Sequence, residues 1–135
     1  MRVFRAVLLL TDLGFIAYWL ITVAHAVPPE YLFNDYSDPL MTAWNWSFLP
    51  LDLMISATGL TAVVLERRGR PFRDFAIVSL TLTFASGLNA LAFWVIRRDF
   101  NLGWWLPNLF LIISPAVLWW LLPRPAIAAV SPAPR

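Results

Sequence analysis

Four long apolar runs alternate with short polar stretches along this chain. They cover residues 6–26, 44–65, 75–96 and 104–122. Asp12 alone interrupts the first and Asp52 the second, and the third carries no charge. At about 1.5 Å of rise per residue, a helix of roughly 20 residues matches a hydrocarbon core about 30 Å thick. None of the runs shows the strict alternation of a barrel strand. Backbone groups in lipid must be satisfied internally, so the pattern predicts helices. The expected fold is an all-α integral membrane four-helix bundle.

The links between runs are short and polar. Residues 27–43 hold Pro28, Pro29, Tyr31, Tyr36 and Pro39, residues 66–74 read ERRGRPFRD, and residues 97–103 form the third link. Residues 123–135 include Pro123, Pro125, Pro132 and Pro134 and read as a disordered proline-rich tail. The expected domain is therefore 1–122. Arginine placement sets the expected direction. Arg2, Arg5, Arg67, Arg68, Arg70, Arg73, Arg124 and Arg135 fall on one side, and Glu30, Asp35 and Asp38 on the other, with Arg97 and Arg98 as exceptions. The N and C termini are expected to be cytoplasmic, in a bacterial inner (plasma) membrane. Arg2, Arg5, the first run and Ala24-His25-Ala26 also have the form of a signal peptide. Asp12 and the length of the run favour a retained span.

Composition supports lipid as part of the solvent. The 135 residues are 60% hydrophobic and 13% charged. A soluble domain this small has too much surface to hide such an apolar content. There is no cysteine and a single histidine, His25. Thiolate chemistry and multi-histidine metal centres are thereby excluded, and no metal or cofactor is expected. The arginines sit at span ends, so nucleic acid is not an expected partner.

Seven of the eight tryptophans fall at span ends, where an aromatic belt accounts for them. Trp19 lies inside the first span and either lines a cavity or faces lipid. Small residues in the second and third spans (Ser56, Gly59, Ala62, Ser86, Gly87, Ala90) suit close helix approach. Pro115 removes one hydrogen bond from the fourth span and predicts a kink there.

The candidate chemistry lies in the intramembrane polar set. A carboxylate in hydrocarbon costs roughly 2.5–3.5 kcal/mol on insertion scales, so Asp12 and Asp52 each call for a reason. By rise per residue the two differ by about 8 Å in depth and need not touch. Asn45 precedes Asp52 by seven residues and shares its helical face. Asn89, Asn108, His25 and the loop residue Asp38 fall in the same outer half. Together these predict an outward polar cluster, with Trp19 and Trp44 as aromatic neighbours. The alternative reading is interhelical hydrogen bonds that only hold the bundle together.

The stretches TDLGFIAYWLI (11–21), PPEYLFNDYSDPL (28–40), AWNWSFLPLDL (43–53) and WWLPNLFLI (104–112) resemble the YvaD-like family of small bacterial four-helix membrane proteins. More distantly, Asp38-Pro39-Leu40, Ala43-Trp44, Ser47-Phe48-Leu49, Asp52-Leu53 and Pro107-Asn108-Leu109 resemble the EXPERA group, which contains the emopamil-binding sterol isomerase and the sigma-2 receptor. That resemblance implies a ligand cavity within the bundle faced by Asp38 and Asp52. Two features of the group have no match here. Val23 or Ala24 stands where an acid ends the first helix, and Phe48 stands four residues before Asp52 where the isomerase has histidine.

Three functions are compatible with these residues. One is binding of a hydrophobic ligand (sterol-like, isoprenoid or lipid) near Asp52. A second is an isoprenoid or sterol isomerase or cyclase, with Asp52 as general acid, Asp38 or His25 as relay, and Trp19 or Trp44 stabilising a cation. A third is a structural or accessory subunit. Expected partners are membrane lipid, a hydrophobic small molecule, and a homodimer or membrane-protein partner.

Overall fold

Every apolar run folds as helix, and local chemistry sets where each helix begins and ends. The computed structural model describes residues 1–122; the expected tail, 123–135, lies outside them. The helices are α1 (Arg2–Val23), α2 (Pro39–Trp46), α3 (Leu49–Arg67), α4 (Arg73–Arg97) and α5 (Leu102–Leu121), with a short 3-10 turn at Pro29–Tyr31. Four segments are long and apolar enough to cross a membrane: Arg2–Val23, Pro39–Arg67, Arg73–Arg97 and Leu102–Leu121.

The second span departs from its expected form. It begins at Pro39 rather than at 44, and it breaks at Ser47 and Phe48 into α2 and α3. Asp38 starts it early, because its Oδ1 accepts the Leu40 backbone N–H at 2.9 Å with Pro39 in the first helical turn. Pro50 accounts for the break. It has no N–H for the Trp46 carbonyl, and its ring opposes a continuous helix there. The first span ends earlier than expected, at Val23. In α5 the helix runs on through both Pro107 and Pro115.

Three helix ends share one closing device. After α1, His25 N–H donates to the Thr22 carbonyl at 3.3 Å and Ala26 N–H to Ile21 at 3.1 Å. After α3, Gly69 and Arg70 reach Glu66 and Leu65 at 3.1 and 2.9 Å. After α4, Arg98 and Asp99 reach Val95 and Trp94 at 3.0 and 3.1 Å. Each is a paired 5→2 and 6→1 closure that needs a left-handed residue. His25, Gly69 and Arg98 supply it, with φ of 49°, 63° and 57°.

α3 packs between α1 and α4, α4 packs between α3 and α5, and α1 touches α5 only slightly. The end that holds the N-terminus is solid. Phe4 and Leu8 of α1, Ala62 and Val63 of α3, Ala76 and Leu80 of α4, and Leu118 and Leu122 close into one core. Arg5 Nε lies 3.3 Å from Glu66 Oε2 at that end.

Two glycines make the seams close. A Cβ on Gly87 would lie 2.8 Å from the Asn108 carbonyl oxygen and 2.9 Å from Leu111 Cβ, so α5 sits directly on α4. A Cβ on Gly59 would lie under 3.0 Å from the Asp12 carboxyl, so that side chain of α1 rests in a notch on α3. The small residues of the second and third spans thus serve close approach within this chain.

Candidate functional site

Above the solid half the helices part around a cavity of about 600 Å³. Its wall is contributed by α1, α2, α3, α4 and α5, and residues 30–34 of the first loop cover it. Most of the lining is aromatic or aliphatic. Among the described residues, Glu30 and Asp52 are its acidic members, and no arginine or histidine lines it.

Asp52 is 4% exposed, at the foot of this cavity. The indole Nε1–H of Trp19, itself buried, donates to Asp52 Oδ2 at 2.9 Å. The Ser86 hydroxyl of α4 lies close to the carboxyl but closes no hydrogen bond to Oδ1, which has no partner. One oxygen is held and the other is free to accept. Higher up, the Tyr18 hydroxyl donates to Asn45 Oδ1 at 2.9 Å, and Asn45 Nδ2 has no partner. The site therefore presents one unpaired acceptor and one unpaired donor within an apolar, aromatic wall. Such a site can orient the polar end of an apolar molecule.

Trp44 and Asn108 also line the cavity. Trp44 stacks on Phe93 at 4.3 Å between centroids and meets Phe48 and Trp94 edge-on. Asn108 Nδ2 donates to the Trp104 carbonyl at 2.8 Å, within its own helix. Trp94 is 1% exposed, so it belongs to this packed aromatic group and not to a belt.

Asp52, Asn45, Asn108, Trp19 and Trp44 thus come together, and three other expected members of the cluster do not. Asp38 is exposed and caps α2, so its carboxylate is engaged by backbone outside the cavity. His25 is exposed and is the left-handed closing residue of α1. Asn89 is exposed on α4, because its neighbours Ser86 and Ala90 are the ones turned to the cavity. Asp12 is fully buried below the cavity, in the notch at Gly59. Both its carboxyl oxygens lack a partner, and its backbone carbonyl accepts from the Ser56 hydroxyl at 3.1 Å.

Several lining residues were not among the expected ones: Tyr18, Phe48, Ser86, Gly14 and the loop residues 30–34. For Tyr18 the available signal was a phenol inside the first apolar run. The loop had none, because only the turn at Pro29–Tyr31 folds it inward. Among the described residues, no three histidine, aspartate or glutamate side chains gather as a metal-binding group.

The chain is thus all-helical, with four segments long and apolar enough to cross a membrane set around an aromatic-walled cavity. The chain belongs to the family of unknown function DUF5360, whose model matches residues 4–125. It is 47% identical over 116 residues to the uncharacterized protein YvaD of Bacillus subtilis (strain 168), a match covering 85% of this chain and 87% of that protein. No solved structure matches it.

Proposed function

We propose that this protein binds a hydrophobic molecule, of the sterol-like, isoprenoid or lipid class, in its outer-half cavity with the polar end at Asp52. One observation carries the reading. Asp52 stands at the foot of a 600 Å³ aromatic-walled cavity with one oxygen fixed by Trp19 and the other unpaired. That volume falls in the range of small-molecule sites, about 300–1,000 Å³. Leu10 and Gly14 of α1 and Phe110 of α5 line the cavity and are exposed on the outside of the bundle. The slight contact between α1 and α5 therefore offers a side path from the bilayer.

In this reading the chain lies in the inner membrane of a bacterium with both termini cytoplasmic. The arginine-rich links support that direction. Arg97, one of the two exceptions, is paired with Asp35 at 2.8 Å and packs over Phe93 and Trp94. The EXPERA resemblance supports the reading at Asp52 and lends no support at Asp38, which caps a helix.

Native mass spectrometry of the protein released from lipid tests it. The expected result is a bound apolar molecule with wild type and its loss with Asp52→Asn. Two empty spectra would overturn the proposal. An isomerase or cyclase acting through Asp52 has less support, because Asp38 and His25 do not line the cavity and so supply no proton relay.

A further inference from the structure

α4 has a second face that the bundle leaves uncovered. Its buried residues, among them Ala76, Thr83, Ala90 and Trp94, follow one stripe. A different stripe, Val78, Leu82, Ala85, Asn89, Ala92 and Ile96, repeats at alternating steps of four and three residues. All of these are exposed except the half-buried Leu82. This is the heptad spacing by which two helices pack knobs into holes. Alanine at Ala85 and Ala92 would let a neighbouring backbone come close.

Asn89 sits in the middle of this stripe, and among the described residues its amide has no hydrogen-bond partner. It is eight residues from the outer end of α4 at Arg97, or about 12 Å of helix, which places it within the hydrocarbon. A bare carboxamide there lacks both water and a protein partner. A carboxamide carries a donor and an acceptor, so it complements a copy of itself. The bilayer gives two copies of one chain the same direction and depth. Asn89 of one copy therefore meets Asn89 of the other, whereas an unrelated helix would need a polar group at that same level.

We infer that the outward heptad face of α4, centred on Asn89, joins two copies of this chain side by side. The inference rests on the chain spanning a membrane, and it is independent of what the cavity binds. Ser86 and Ala90 keep the cavity on another side of α4, so the pair would form without closing it.

The absence of cysteine makes the test direct. Ala85→Cys and Ala92→Cys are introduced singly into the full chain in membranes, with Phe84→Cys, one residue and about 100° round the helix from Ala85, for comparison. Mild oxidation should give disulfide-linked dimers with the two stripe positions and not with Phe84→Cys. Adding Asn89→Leu should lower the linked fraction about threefold. Equal cross-linking at all three positions, or none at the stripe, would overturn the inference. Carbonate extraction of the same membranes separates the two readings. A retained protein that does not cross-link refutes the pairing alone, whereas a released protein refutes both.

Discussion

The indole of Trp19 and the carboxyl of Asp52 meet at 2.9 Å, joining α1 to α3 across 33 residues of sequence. Both side chains are buried, so the bond fixes the carboxyl and decides which oxygen faces the cavity. Trp19→Phe should cost about 1–3 kcal/mol, because it leaves a buried acceptor unpaired. Asp52→Asn keeps an acceptor for the indole and should cost less. Unfolding midpoints in detergent compare the two; equal losses would show that the bond contributes little.

The notch at Gly59 gives a second prediction. Gly59→Ala drives a methyl into the Asp12 carboxyl and should destabilise the bundle by about 1–3 kcal/mol. Asp12→Ala removes the obstacle, so the double variant should recover part of that loss. A double-mutant cycle measures the coupling. Strict additivity would mean that the two residues do not share the seam.

Gly14 tests the cavity from its side. Open space surrounds the position where its Cβ would stand, and the residue lines the cavity. Gly14→Trp should therefore fold normally while filling the path between α1 and α5. Binding of a fluorescent sterol or long-chain alcohol should fall at least about tenfold, a change of roughly 1.4 kcal/mol. Unchanged binding would show that the probe does not use this entrance.

His25 and Asp38 are predicted to matter for stability and not for binding. A non-glycine residue in the left-handed region costs roughly 1–2 kcal/mol, so His25→Gly should raise the unfolding midpoint. Asp38→Ala should lower it by about 1 kcal/mol through the lost helix cap. Neither should alter retention of an apolar ligand. A loss of ligand with either would return that residue to the site.

Hydropathy disclosed the four membrane-length helical segments, because a run long enough to match a bilayer's thickness stands out from a core helix. The break before α3 was also written in the chain, at Pro50. Its meaning depends on context, because proline is equally at home in the first turn of a helix and tells only against a longer one. Residue facing was harder to read. In water an apolar stripe marks the side of a helix that turns inward. In lipid the outside is apolar too, and that marker is lost. Asn108 and Asn89 look alike in sequence, yet one lines the cavity and the other faces away. The seven-residue step from Asn45 to Asp52 did carry over, since α2 and α3 keep both on the cavity side despite the break.

The bundle is filled unevenly along its length, tightly around Phe4, Leu8, Leu80 and Leu118 and loosely around Asp52. That unevenness divides evolutionary freedom along each helix. Changes of side-chain volume in the tight half create voids or clashes and act on the whole fold. Changes in the loose half mostly alter the shape of an existing space. Relatives can thus diverge in what they accommodate while keeping the same footing, and tolerance to mutation should rise along α1 from Phe4 toward Tyr18.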